Sequence, residues 1–543
     1  MPFSTRKQTK SLPHIIINAG PGVGKTSTMI AGLNILSGGK PEWEGTEEQK
    51  TIWAAMKGHY SSIGFQAFNK SIAAEIQEKV PSNVKASTFH AFGYKVLREN
   101  GYNLKPNNNN VKFIVKDVQG YEKQARQSSA DFKAGLCIAK IVGLLKGNLL
   151  EPTTENVNLM IDMFNVTVPE IWHVTTLVSM TKKVMQKCLD VKPGQSGYMD
   201  FDDMLWLPLK LDLDFKPSQF DLLICDESQD LSKIQHELVL KSGSRLICVG
   251  DRRQSVYGFR GADSRSMDQL KETLEKTDRG VIELSLQTTF RLPTSGVKNV
   301  NNFAPDLVAS DNAIEGEIEE TDISLMEPKV GDLILSRINA NIFSMAFSLL
   351  RKKIGVRIQG RDFGNQLKKL LESVCKGCET VAEIQTNLSE YEKGEHDRIM
   401  QRTFPQRGLT ELQEKMACLY SLTGGCKSLA EMTKTIDDLF SEDLPRSKVV
   451  LLSTIHRAKG MEADTVWFLE PQLIPHKLAE TESEIQQEFN LKFVGETRHK
   501  KKLVYVYPNK DRGGDRDEAE GRIAANEVEE DWDEVETSQS RNS

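Results

Sequence analysis

A chain of 543 residues is too long for one ordinary core, and several domains are expected. No apolar run approaches the roughly 18 residues of a spanning helix, the N-terminus (MPFSTRKQTKSLPH) lacks a signal peptide's apolar stretch, and eight cysteines are too few for a disulfide scaffold. These features point to a soluble cytoplasmic protein without a membrane partner. The net charge of −6 is a property of the tail: residues 511–543 hold 12 acidic and 4 basic residues, leaving the body at +2. A near-neutral body permits a nucleic-acid partner without demanding one.

In chain order, strand-like apolar runs occur at HIIIN (14–18), SIGFQAF (62–68), DLLICD (221–226), RLICV (245–249), VIELSL (281–286), DLILS (332–336), VVLLS (449–453), TVWFL (465–469) and LVYVY (503–507). Many are continuous rather than alternating, as in parallel strands covered on both faces. Helix-period segments lie between them, so the fold class is α/β. Residues 95–195 and 366–445 lack such strands and read as helical insertions into two α/β cores, the first built from 1–94 and 196–285, the second from 286–365 and 446–510. Residues 511–543 are polar and acidic, the composition of a disordered segment. A solvating tail is the plainer reading, and Trp532 in EEDWDEVE is the feature that favours docking on a protein partner.

HIIINAGPGVGKTST is a strand, a glycine-rich turn and Lys-Thr opening a helix, with Ala19 in place of the first glycine of GxxxxGK[ST]. Gly20, Gly22 and Gly24 would let backbone N–H groups approach phosphate oxygens, Lys25 would neutralise the β/γ charge, Thr26 would hold Mg²⁺, and Ser27 would join them in binding the nucleotide. FDLLICDESQD ends a buried strand in two carboxylates. Some 200 residues beyond a P-loop, these read as Asp226 near Mg²⁺ and Glu227 as general base beside the attacking water. ATP and Mg²⁺ are therefore the expected cofactors.

AGPGVGKT, STFHAF (87–92), MDFDDMLWLP (199–208), DESQD, VGDRRQSVYGFRGA (249–262), FRLP (290–293), STIHRAKGMEAD (453–464) and FVGETRHKKKLVYV (493–506) occur in the order seen in UvrD/Rep/PcrA-type superfamily 1 DNA helicases. The chain resembles that family from about residue 14 to 507, most closely its compact phage-type members, whose setting would be a bacterial host's cytoplasm. The resemblance implies two RecA-like parallel-sheet domains with ATP at their interface, each carrying a helical insertion. It also implies an ATP-dependent helicase that translocates 3′→5′ on single-stranded DNA and opens single/double-strand junctions. A translocase that strips bound proteins with little unwinding, and a nucleotide-dependent DNA-loading factor, are the rival readings.

Residue by residue, the resemblance places Gln254 at the γ-phosphate, Arg291 and Arg498 as arginines offered to it by the second lobe, and Glu462 at the ribose. Phe68, Asn69, Thr88, His90, Tyr257, Phe259, Arg260, Thr454 and His456 match segments lining the DNA path. Tyr257 lies three residues on from Gln254, so a loop sensing the γ-phosphate could make the aromatics grip or release a base, at about 1–3 kcal/mol per stack. Phe259 as a core ring, and Arg498 as one charge in a solvated basic run, are the plainer alternatives.

The sequence departs from the family pattern at Phe489 and Asn490, where two arginines are usual, and at Gly495 and His499, where alanines are usual. GTEEQKTIW (45–53) resembles the adenine-reading glutamine segment but follows the P-loop instead of preceding it, which leaves Gln8 the better placed glutamine. The interval between Arg291 and His456 is short, so the second insertion is expected to be reduced. Its Cys375, Cys378, Cys418 and Cys426 have poor spacing for a structural zinc.

Overall fold

The computed structural model describes residues 12–508 except 68, 122–127, 165, 167, 170–171, 217, 257–264, 401–404, 442–444, 446–447, 478 and 480. The first half contributes strands β1 (His14–Ala19), β2 (Ile63–Ala67), β3 (Val84–Thr88), β4 (Asn103–Pro106), β5 (Ser196–Met199), β6 (Phe220–Cys225), β7 (Gly243–Gly250) and β8 (Val281–Leu286). The second contributes β9 (Thr288–Thr289), β10 (Val308–Ala309), β11 (Glu317–Asp322), β12 (Leu333–Ser336), β13 (Val356–Ile358), β14 (Val450–Thr454), β15 (Ala463–Leu469) and β16 (His499–Tyr507).

Two six-stranded parallel sheets result, ordered β3-β2-β6-β7-β1-β8 and β11-β16-β15-β12-β14-β13. The continuous apolar strands are buried on both faces. In β1, Ile15 and Ile17 join the cluster under the helices Lys25–Leu36 and Glu47–Met56, while Ile16 faces the opposite cluster. β12 repeats the arrangement, with Leu333 and Leu335 on one side and Ile334 on the other. Among the described residues, no helix is long and apolar enough to cross a membrane.

Helices Asn110–Val118, Ser129–Gly147, Thr154–Met163 and Val174–Leu189 share the Ile16-side core of the first sheet. Arg361–Val374, Val381–Met400, Gln406–Thr423 and Leu429–Leu439 share the Ile334-side core of the second. The stretch 95–195 is not strand-free: β4 pairs in parallel with β5, just past its end. NLKP has one buried residue of four, too little apolar pattern to read as a strand. Lys146 is fully buried, 2.7 Å from Asp203 and 3.2 Å from Asp200, with the Trp206 ring 5.4 Å away, and so ties the insertion to the helix Phe201–Lys210.

Between the sheets, the chain first packs backwards. Leu292, Val300, Ala304 and Leu307 enter the Ile15/Ile17 cluster, as does Phe493 from the helix Glu482–Glu496. Phe493 packs on Phe303 at 5.3 Å with the Arg253 guanidinium 5.6 Å from its ring, so a helix that leads into the second sheet is seated in the first core.

Candidate nucleotide cleft and nucleic-acid path

The turn after β1 brings Gly22 (φ 72°) and Gly24 (φ 75°) into left-handed backbone conformations that favour glycine. Gly22 also needs the space: a Cβ there would stand 2.4 Å from Arg291 Cβ. Gly20 plays a different part, being packed under Leu307 with its N–H taken by the Leu286 carbonyl. Lys25 opens the following helix and lies 4.0 Å from Glu227. The Thr26 hydroxyl donates to Asp226 at 2.7 Å, and Ser27 is exposed. A hydroxyl and a carboxylate side by side at the end of a P-loop form a hard-oxygen pair suited to Mg²⁺ that is also held by phosphates.

Asp226 and Glu227 follow β6 directly. Glu227 has φ 52°, a left-handed conformation uncommon for a non-glycine residue, and Gln229 Nε2 donates to its carboxylate at 2.5 Å. Burial opposes the Glu227 charge, but Lys25, Lys459, the Gln229 amide and Arg498 together hold its carboxyl well below the ordinary range. Burial and the neighbouring Glu227 charge push Asp226 up.

Gln254 is buried, with Nε2 donating to Asp251 at 2.7 Å, and Arg498 Nη2 reaches its Oε1 at 3.4 Å from the second lobe. Arg498 is 1% exposed and also donates to the Val494 carbonyl, so it is not one charge of a solvated run. Burial and then the nearby Arg291 pull its pKa down to about 9, which leaves it charged at neutral pH. The lysines after it have separate partners: Lys500 pairs with Glu462, Lys501 with Asp464, and Lys502 with Glu317 and Glu319. Arg291 Nε donates to Glu462 at 2.7 Å. A cleft of about 520 Å³ is lined by Gly22, Gly24, Phe290, Arg291, Glu462 and Lys500 among others.

Several contributors carry no signal as single residues. Lys459 reaches from the second lobe to pair with Asp230 and to donate to the Gln254 carbonyl at 2.7 Å. Phe290 presents a 55% exposed ring to the cleft. Two of the four family departures have local explanations. Asn490 is buried and donates to the Ser255 carbonyl at 3.0 Å, bracing the Gln254 loop from the second lobe. His499 is buried against Gly296, whose missing Cβ makes room for the ring.

Gln8 lies outside the described residues. Gln49 stands against the P-loop helix, but its amide is occupied: Nε2 donates to Thr28, and Oε1 accepts from Thr46 N and Trp43 Nε1. It braces the helix. In the helical stretch 366–445, Cys375 Sγ donates to the Ile384 carbonyl, Asn387 donates to Cys378, and Cys426 bonds Thr435, while Cys418 is buried. Among the described residues, no three potential metal ligands of the His, Cys, Asp or Glu types come together.

The candidate nucleic-acid residues stand at the C-terminal ends of strands in both sheets, where open α/β sheets bind ligands. Asn69 and Thr88 cap the helices Lys70–Lys79 and Phe89–Glu99, and the partly buried His90 meets Phe201 edge-on at 5.8 Å. Thr454 ends β14 and His456 follows it. Phe68, Tyr257, Phe259 and Arg260 lie outside the described residues.

A model of the UvrD/REP helicase N-terminal domain matches residues 3–275, and one of the UvrD-like helicase C-terminal domain matches 264–510. The chain is 23% identical to F-box DNA helicase protein 1 of Schizosaccharomyces pombe over 85% of its length and 54% of the relative's. It is 25% identical to F-box DNA helicase 1 of Gallus gallus over 92% and 48%, and 23% identical to ATP-dependent DNA helicase PcrA of Leuconostoc citreum over 53% and 37%. It thus spans about half the length of these relatives or less. By these matches, which together run through nearly all of its two-sheet body, the chain belongs to the UvrD/Rep helicase family.

Proposed function

We propose that this chain is an ATP- and Mg²⁺-dependent DNA helicase that steps 3′→5′ along single-stranded DNA and separates duplex at single/double-strand junctions. One observation carries the reading: groups from two separate sheets meet around one P-loop. Lys25, the Thr26–Asp226 pair, Glu227 and Gln254 come from the first, and Arg498 and Lys459 from the second. Phosphoryl transfer needs little covalent help from protein and much positioning and charge neutralisation, which such a convergence supplies.

In this reading Lys25 and Arg291 bind phosphate charge, and Arg498 stabilises the transition state. Glu227, held ionised by its cationic neighbours, takes the proton from the attacking water. Mg²⁺ would be held by Thr26 and Asp226 and would neutralise the phosphates. Phe290 offers a flat apolar face to the base. Gln254 relays the state of the γ-phosphate to Tyr257 and Phe259, and Asn69, Thr88, His90, Thr454 and His456 line the strand's path. The sequence segments assigned above to two cores, two insertions and an acidic tail are the proposed domains, and the tail's docking on a protein partner is part of the same proposal.

The test is unwinding of duplexes with a single-stranded tail of either polarity, with ATP and with a non-hydrolysable analogue. Strand separation from the 3′-tailed substrate with ATP alone supports the reading. ATPase with protein displacement but no unwinding would favour a translocase. No DNA-stimulated ATPase above a Lys25→Ala control would favour a loading factor.

A further inference from the structure

Two of the cations at the cleft are matched by carboxylates. Lys25 has Glu227 at 4.0 Å, and Arg291 has Glu462 at 2.7 Å. Glu462 is doubly engaged: Oε2 accepts from Arg291 Nε, and Oε1 lies 2.6 Å from Lys500 Nζ. Both partners line the cleft that holds Gly22 and Gly24. An incoming triphosphate would compete with Glu462 for Arg291. Once Arg291 turned to the phosphates, Glu462 would remain as a carboxylate beside a polyanion, and the like charges would repel.

We propose that Lys500 is a positioning residue that lets Glu462 release Arg291 to the nucleotide. Lys500 retains the carboxylate after Arg291 leaves, cancels its repulsion of the phosphates and holds it away from the arginine. Glu462 is then a stand-in anion for Arg291, and Lys500 sets how readily it gives way. This assignment rests on the nucleotide-cleft reading and adds to it a residue of the basic run after Arg498, where sequence alone shows only undifferentiated positive charge.

The experiment is equilibrium binding of a fluorescent non-hydrolysable ATP analogue to the full chain, comparing wild type, Lys500→Ala, Lys500→Arg, Glu462→Gln and the double variant Lys500→Ala/Glu462→Gln. Lys500 is partly exposed, so its variants are expected to fold, and a thermal unfolding scan checks this. Lys500→Ala should weaken binding about two- to fivefold at low salt, the scale of a solvent-accessible ion pair. The difference should shrink at high salt, and Lys500→Arg should restore affinity. In the Glu462→Gln background, Lys500→Ala should change nothing further. In steady-state ATPase with single-stranded DNA, Lys500→Ala should raise KM more than it lowers kcat. Unchanged affinity in Lys500→Ala would overturn the proposal, as would a penalty that persists undiminished beside Glu462→Gln, since Lys500 would then act on the nucleotide directly. Wild type that binds no nucleotide would overturn the cleft reading itself.

Discussion

Arg498 Nη2 meets Gln254 Oε1 at 3.4 Å, joining the end of the helix Glu482–Glu496 in one lobe to the loop after β7 in the other. Gln254 is thus tied to Asp251 on its own lobe and to an arginine on the opposite one. Gln254→Ala should preserve nucleotide binding while uncoupling DNA-stimulated hydrolysis from movement, as read by ATP consumed per base pair opened. Equal loss of ATP affinity and translocation would mean that the residue only shapes its loop.

Arg498→Ala removes a buried cation from the cleft. It should lower kcat by about 10³ or more with a much smaller effect on ATP affinity. Rapid-quench single-turnover hydrolysis measures the chemical step directly.

Glu227→Gln keeps the shape of the carboxylate and the Gln229 contact but removes the proton acceptor. Hydrolysis should fall by about 10² to 10⁴ while ATP and DNA are still bound. A variant that hydrolyses ATP at the wild-type rate would assign the base elsewhere.

Lys146→Ala leaves Asp200 and Asp203 buried without their cation. Breaking a buried pair in this way costs about 3–5 kcal/mol. Urea unfolding monitored at Trp206 should show the loss, and a midpoint equal to wild type would mean that water reaches the site.

His14 and His499 are buried, and burial is the leading cause that lowers each from 6.5 to about 4. The unfolded chain therefore binds these protons more readily than the folded one. Their contribution to stability is complete above 6.5 and declines as pH falls from there towards 4. His14 Nδ1 accepts from Leu246 N at 3.0 Å, so His14→Asn, which keeps an acceptor, should flatten part of the decline between denaturation curves taken at neutral and mildly acidic pH.

The two sheets were legible because their central strands are covered on both faces and read as unbroken apolar runs, as HIIIN and VVLLS do. Of the edge strands, β8 was legible as VIELSL, but β11 (EIEETD), half exposed and mostly charged, and β3 (VKAST), with one fully buried residue, were not read as full strands. The P-loop and the Asp-Glu pair were legible because phosphate and metal chemistry restricts residue types at fixed spacing. Lys459, Phe290 and Asn490 were not, because a lysine, a phenylalanine or an asparagine gains its meaning only from what the other lobe places beside it. Arg498 opens the run RHKKK, where only the fold separates the buried arginine from the exposed Lys501 and the partly covered Lys500.

The seating of Phe493 limits how this molecule can move. Drawing the two halves straight apart would pull a large aromatic ring out of the core it shares with Phe303 and wet it, whereas turning about that ring would not. On the proposed reading, energy released at the cleft would be delivered as a swing around an axle set at Phe493, and changing the diameter of that bearing, with leucine or tryptophan, should alter the length of the stroke more than the chemistry that drives it.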